Sequence, residues 1–225
     1  MICIGHRGAM GYEPENTLRS FRKALDMGAP WVELDVYNVE NQLVVIHDDD
    51  LDRTTNGKGA VVKHTVAQLR ALDAGKGERI PFLSEVFDAV NRRAAVNVEL
   101  KGPNTAELAI AEMRKRVAAG WKWSDLLISS FDHAQLHRAR ELEPNVPLGV
   151  LVWGNAAPFI KTALALKAVS LNPALQFTDK ALVDEAHANG LKVFVYTVNE
   201  PDDIARMRAW GVDGVFTNFP DRALS

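Results

Sequence analysis

Glu33 and Asp35 stand two residues apart in the apolar run Trp31-Val-Glu-Leu-Asp-Val-Tyr37. In an extended segment that spacing puts both carboxylates on one face. Two acids side by side among Trp, Val and Leu repel each other and lose hydration. They call for a cation, a bound metal or a shared proton. A second apolar run, Leu43-Val-Val-Ile-His47-Asp48, follows after a short link centred on Glu40-Asn41-Gln42. So short a link closes an antiparallel hairpin and no parallel crossover. If the loop has an odd length, Glu40 to Gln42, Asp35 falls opposite His47 on one face. Two acids and an imidazole then share a surface.

The elements that must position these groups alternate along the chain. Strands are expected at 2–5, 31–37, 95–100, 126–130, 147–152, 168–172, 192–198 and 214–217, with 43–47 as the hairpin return. Helices are expected between them. Leu18, Phe21 and Leu25 share a face of the first helix, which ends at Gly28. Ser84, Thr105, Asp132 and Thr178 are placed to cap later helices, and Pro201 opens the last long one. Residues 48–80 differ in kind, being polar and rich in Gly, Asp, Thr and Lys, with a helical piece near 66–72. They form an excursion from the main layer. Nine extended segments less the hairpin return leave eight strand–helix units, which predicts a (β/α)8 TIM barrel spanning residues 1–225 as a single domain. An open doubly wound sheet is the rival architecture, but Gly5-His-Arg-Gly8 does not match its G-x-G-x-x-G turn.

The chain has 225 residues, 47% apolar and 24% charged, with a net charge of −3. That length suits one α/β barrel, and the charge balance gives no footing for non-specific nucleic-acid or anionic-membrane binding. No apolar run is long enough to span a membrane. The N-terminus lacks the basic-then-apolar pattern of a signal peptide, and the lone Cys3 cannot form an internal disulfide, so a cytoplasmic setting is expected.

In a barrel the site lies at the strand C-termini. Strand one ends in His6-Arg7, strand two carries Glu33 and Asp35, and the hairpin brings His47. Strand three presents Asn97, Glu99 and Lys101 on one face, and later strands end in Ser129-Ser-Phe131, Tyr196-Thr-Val-Asn199 and Thr217-Asn218. Three carboxylates make an oxygen-rich pocket suited to Mg²⁺ or Ca²⁺ better than to Zn²⁺. Two imidazoles can serve as base and acid in one turnover. Arg7 and Lys101 can hold a phosphate, Arg in two-pronged fashion and Lys as a point charge. Together these groups form an apparatus for phosphodiester cleavage.

Each group alone has a plainer reading. A single His at a strand end is usually a hydrogen-bonded structural group. Glu33 and Asp35 could pair with Arg7 and Lys101 in an ion-pair net. Lys101 could be a Schiff-base lysine of an aldolase-like enzyme, although three nearby acids would hold it charged. The conjunction at strands one to three carries the functional reading. His64, His133, His137 and His187 fall on the excursion or on helices, away from it. Asp48, Asp50 and Asp52 resemble the start of a calcium loop, but Arg53 stands where that loop needs Gly and the closing Glu is missing. Asp48 is close enough to orient His47.

These residues sit in motifs that resemble the glycerophosphodiester phosphodiesterase family: Gly5-His-Arg-Gly8, Pro14-Glu-Asn-Thr17, Glu33-Leu-Asp-Val36, Val45-Ile-His-Asp48, Leu51-Asp-Arg-Thr-Thr55, Asn97-Val-Glu-Leu-Lys101, Ser130-Phe131 and Tyr196-Thr-Val-Asn199. They run in the family's order over nearly the whole chain. The resemblance implies a phospholipase-C-like barrel with residues 48–80 as the family's insertion, and hydrolysis of glycerophosphodiesters to sn-glycerol 3-phosphate and an alcohol. It implies His6 and His47 as the acid/base pair, and Glu33, Asp35 and Glu99 as ligands of one divalent cation, Mg²⁺ or Ca²⁺, with Mn²⁺ also admissible. Arg7 and Lys101 would hold phosphate. Phe131 and Tyr196 would bind substrate, Tyr196 lining its glycerol side where the family commonly has Trp, a difference expected to shift the alcohol preference, and Trp153 is placed at the same mouth. The competing functions are a phospholipase-D-like barrel of the related toxin group and a non-catalytic binder of phosphorylated polyols.

Overall fold

The computed structural model describes residues 1–224. β1 (Ile2–Gly5) leads to α1 (Leu18–Asp26), and β2 (Trp31–Val39) turns back into β3 (Gln42–Val45). An excursion carrying the short α2 (Val66–Ala71) returns through α3 (Leu83–Val90). Strands and helices then alternate as β4 (Ala95–Leu100), α4 (Ala106–Ala118), β5 (Leu126–Ser130), α5 (His133–Leu142), β6 (Leu148–Val152) and α6 (Ile160–Ala165). The chain finishes with β7 (Ser170–Pro173), α7 (Lys180–Ala188), β8 (Lys192–Val195), α8 (Pro201–Ala209), β9 (Gly214–Thr217) and α9 (Pro220–Leu224). Every strand except β3 runs parallel to its neighbours, and β1 pairs with both β2 and β9, so the eight parallel strands close into the expected barrel.

Alternation along β2 explains why acids sit in an apolar run. Val32, Leu34 and Val36 face outward and are fully buried with Phe21, Val86, Phe87 and Val98 in the layer between strands and helices. Trp31 faces inward and packs on Ile4, Leu127, Phe194 and Phe216, which plug the barrel interior. Glu33 and Asp35 share Trp31's inward parity. α1 is set over this layer by its own sequence. The Thr17 hydroxyl accepts the Ser20 N–H, Phe21, Ala24 and Leu25 form the buried stripe, and Gly28 ends the turn at a φ of +89°. Among the described residues no helix is long and apolar enough to cross a membrane.

β2 is longer than its barrel neighbours require. Its first part, Trp31–Val36, pairs with β4, and Val36–Val39 pairs with β3 beyond the barrel. From this projecting hairpin hangs the excursion, with its own buried cluster of Val39, Val44, Ile46, Leu51, Val61, Leu69, Ala74 and Ile80. Pro81 and Phe82 close it back on β3, the Val45 N–H donating to Pro81 O at 2.8 Å.

The hairpin loop corrects the expected odd length. Val39 pairs with Gln42, leaving a two-residue turn of Glu40 and Asn41 at φ +51° and +60°. That is the twist-matched turn antiparallel strands prefer, and Asn is among the residues that tolerate it. In this register Ile46, not His47, continues opposite Asp35, its N–H donating to Asp35 O at 3.1 Å. His47 follows the end of the ladder and is not bound by strand parity.

Three of the expected caps also differ. α3 begins at Leu83, and the Phe82 N–H at its start is taken by the Glu85 carboxylate at 2.7 Å, so Ser84 is already inside the helix. Thr105 donates its hydroxyl to Gly102 O, and Thr178 to Ala174 O, and neither hydroxyl accepts an N–H from the first turn of its helix. Asp179 caps α7 instead, while Asp132 caps α5 as expected. The seventh barrel strand stops at Val195, three residues short of the expected end.

Candidate active site

The turn after β1 brings the first two groups to the barrel mouth. His6, Arg7 and Gly8 reverse the chain tightly, with Arg7 at φ +51° and Gly8 at +85°. A side chain at Gly8 would collide with the Ser20 backbone at 2.5 Å, so the close seat of α1 requires glycine there. The Arg7 carbonyl accepts the Ser20 hydroxyl at 2.8 Å and the Asn16 N–H at 3.1 Å, which holds the left-handed residue in place. So fixed, the Arg7 N–H donates to Glu33 Oε2 at 2.9 Å, and its guanidinium lies 3.3 Å from Asp35 and 2.7 Å from Glu15.

Strands β2 and β4 supply the acids. Their register sets Asp35 beside Glu99 and Glu33 beside Asn97. Glu33, Asp35 and Glu99 are buried, and one oxygen from each falls within 4.8 Å of the others. Asn16 donates to Asp35 Oδ2 at 2.9 Å, and Lys101 reaches Glu99 at 2.7 Å and Asp35 at 3.6 Å. Burial, then repulsion from Asp35 and Glu99, raises the Glu33 carboxyl well above the usual range. Burial and Asp35 push Glu99 up to about 7. Glu33 Oε1 and Asp35 Oδ1 are buried without a hydrogen-bond donor. Three mutually repelling carboxylates with vacant lone pairs fit a hard divalent cation. Lys101 stays charged: burial opposes its charge, but Glu99 and Asp35 outweigh burial and raise its pKa.

The two histidines are fastened differently. His6 Nδ1 lies 2.7 Å from Asn218 Oδ1, and its backbone N–H donates to Thr217 O, so β9 orients it. An amide oxygen only accepts, so Nδ1 carries the proton and Nε2 the lone pair. Burial, and then Arg7, lowers the His6 pKa to about 4. His47 Nδ1 lies 2.7 Å from Asp48 Oδ1. Burial lowers its pKa too, although Asp35 and Asp48 favour the charged ring against Arg7 and Lys101.

A cavity of about 330 Å³ opens over these groups. His6, Arg7, Glu33, His47, Asn97 and Glu99 line it from β1 to β4, Phe131, Leu151, Trp153, Gln176 and Tyr196 line it from β5 to β8, and Phe216 of β9 lines it next to β1. Phe131 meets Tyr196 edge to face at 5.7 Å, and Trp153 meets Phe177 at 5.4 Å. The Tyr196 hydroxyl is occupied, donating to Val152 O at 2.7 Å, so its ring is what the cavity meets. Asp35 and Lys101 do not line the cavity and join the cluster through Arg7 and Glu99.

The structure thus gathers all seven charged or imidazole groups singled out from the sequence, with Phe131, Trp153 and Tyr196 across from them. Three of the other histidines are engaged elsewhere, His64 with Ala60 O, His133 with Leu151 O and His187 with Asp213. Glu15, Asn16 and Arg53 lie within the sequence motifs, but no local pattern shows what they touch, and Asn218 meets His6 only through barrel closure. Asn97 and Ser129 also place buried and unpartnered polar atoms on the cavity wall.

This geometry can be set beside known proteins. The model of the glycerophosphoryl diester phosphodiesterase family matches residues 6–222. A glycerophosphodiester phosphodiesterase of Caldanaerobacter subterraneus subsp. tengcongensis is 35% identical over 100% of this chain and 96% of its own. One from Bacillus altitudinis is 37% identical over 98% and 96%. A phosphodiesterase of Oleispira antarctica, solved in complex with the product sn-glycerol-3-phosphate, superposes with a TM-score of 0.91 at 32% identity, covering 100% of this chain and 95% of that one. With the family match spanning almost the whole barrel and the strand-end groups assembled at one mouth, the chain belongs to the glycerophosphoryl diester phosphodiesterase family.

Proposed function

We propose that this protein hydrolyses glycerophosphodiesters to sn-glycerol 3-phosphate and an alcohol, at the cavity flanked by His6 and His47. The observation that carries this reading is that both imidazoles line one cavity with Arg7, Glu33 and Glu99. Glu33, Asp35 and Glu99 would hold one divalent cation, Mg²⁺ or Ca²⁺ by the all-oxygen donor set, with Mn²⁺ also compatible. Such a cation supplies Lewis-acid polarisation of the phosphate oxygens.

Arg7 on the cavity wall, and Lys101 from behind Glu99, bring fixed positive charge toward the phosphate in a partly dry site, where it acts more strongly than in water. His6, kept neutral by burial and holding its proton on Nδ1, offers Nε2 to take a proton from the attacking oxygen, either that of water or that of the neighbouring glycerol hydroxyl, in which case a cyclic phosphate forms first and water then opens it. A P–O bond to that oxygen forms as the bond to the alcohol breaks. His47, its Nδ1–H held by Asp48, gives its Nε2 proton to the departing alkoxide when it enters the turnover as imidazolium, the form that Asp35 and Asp48 favour against burial. The neutral aromatic side receives the alcohol portion. The excursion from the hairpin serves the same site within one domain, since it carries His47's partners.

The test is a chelated protein reconstituted with Mg²⁺, Ca²⁺ or Mn²⁺ and offered glycerophosphocholine, glycerophosphoethanolamine and glycerophosphoglycerol. Release of sn-glycerol 3-phosphate with at least one cation is expected. No release with any pairing would overturn the reading.

A further inference from the structure

We propose that Arg53, which hangs from the excursion and not from the barrel, is a positioning residue for His47 and ties it to Arg7 through Glu15. The inference rests on the reaction proposed above. Arg53 donates to both oxygens of Glu15 at 2.7 and 2.8 Å, and to both oxygens of Asp48 at 2.6 and 3.0 Å. Asp48 in turn holds His47 Nδ1 at 2.7 Å, and Glu15 holds Arg7 at 2.7 Å. Charges therefore alternate without a break from Asp35 through Arg7, Glu15, Arg53 and Asp48 to His47.

Arg53 is half-exposed, and an isolated ion pair at such a site contributes little to stability. Its geometry does something else. The planar guanidinium fixes two carboxylates at once, a task a lysine ammonium cannot reproduce. His47 needs that help because it follows the end of the β2–β3 ladder, so no strand hydrogen bond sets its direction. Asp48 points the ring, and Arg53 points Asp48. Arg53 hydrogen-bonding holds the Asp48 carboxyl well below the usual carboxylate range, so Asp48 remains an acceptor for His47. The excursion thereby contributes a brace for the site without touching substrate.

Arg53→Ala, Arg53→Lys and Glu15→Gln, made in the full chain, test this with cation saturating and glycerophosphocholine as substrate. Partners standing behind a reacting group are typically worth about 10–100-fold in activity, so Arg53→Ala should lose that much kcat with KM little changed. Methylguanidinium should restore much of the loss in Arg53→Ala and leave wild type unaffected, while Arg53→Lys should recover less than the rescued protein. Wild-type kcat in folded Arg53→Ala, a loss carried by KM or by cation affinity, or no guanidinium rescue would each overturn the proposal. Should Arg53→Ala fail to fold, wild-type kcat in both Arg53→Lys and Glu15→Gln would overturn it. If wild type itself releases no product, the reading of the reaction fails, and the brace is judged separately. The low-field His47 Nδ1–H NMR signal should then be present in wild type and lost in the variants, and its persistence in them would overturn the brace.

Discussion

The two sides of the barrel mouth are built on the same β/α units and differ in almost everything else. The side formed by β1, β2, the hairpin and β4 holds every charge of the site: His6, Arg7, Glu33, Asp35, His47, Glu99 and Lys101. The side formed by β5 to β8 presents Phe131, Leu151, Trp153, Gln176 and Tyr196, with no charged group lining the cavity. On the first side each charged or imidazole group has at least one short tie to a neighbour, while Glu33 Oε1 and Asp35 Oδ1 are left without a donor. On the second, Trp153 is 65% exposed and Phe131 43%, rings held chiefly by other rings. The contrast separates two tasks. Bond making and breaking need fixed charges aimed to a fraction of an ångström, whereas holding an alcohol needs apolar area whose details can vary.

The largest expected effect would come from the histidines. His6→Ala and His47→Ala should each lower kcat by about 10²–10⁴-fold with the circular dichroism spectrum unchanged. Near-normal turnover in either would dissolve the division between the two sides. The Arg53 variants come next, since they act on the charged side at one remove.

Glu99→Gln should weaken divalent-cation binding and, without cation, stabilise the fold. The sign follows from linkage. Burial and Asp35 raise Glu99 to about 7, so the folded chain holds this proton more tightly than the unfolded chain does. The stability this gives is fully present below about 4.5, the ordinary Glu value, and is lost as pH rises through about 7. The Tm advantage of metal-free Glu99→Gln over metal-free wild type should therefore grow between those pH values and level off above. Cation at about 100 times Kd should raise wild-type Tm by roughly 5–10 °C. A metal-free wild type that matches Glu99→Gln at pH 8, and is indifferent to added cation, would mean that the carboxylates are a structural net.

The smallest effects belong to the aromatic side. Phe131→Ala and Tyr196→Ala should raise KM by about 3–10-fold, differently for choline and glycerol head groups, with kcat close to wild type. Steady-state kinetics on several glycerophosphodiesters would read this. A kcat loss as large as that of His47→Ala would show that the rings position the phosphate as well.

Much of the charged side was legible because it is written in short-range pattern. Glu33, Asp35, Asn97 and Glu99 are interior by strand parity, and His6-Arg7 by following the first strand. Less legible was how the histidines are held. His6 is oriented by Asn218, 212 positions away, and Glu15 meets Arg53 across 38. For His47 the hairpin parity points the right way for the wrong reason, because Glu40 and Asn41 make an even turn and the ladder stops at Val45, and only the motif Val45-Ile-His-Asp48 marks it independently.

What the sequence by itself determined is the count of β/α units, the alternation that turns acids inward on β2 and β4, and the residue types needed for the chemistry. These follow from periods of two and 3.6 residues, which local sterics impose wherever the chain is. Only the tertiary structure decided which side chains brace which. Barrel closure brings β9 beside β1, and folding of the excursion brings Arg53 between Glu15 and Asp48. Hydrogen bonds reach about 3 Å, and no local pattern encodes an approach that depends on the whole ring being closed.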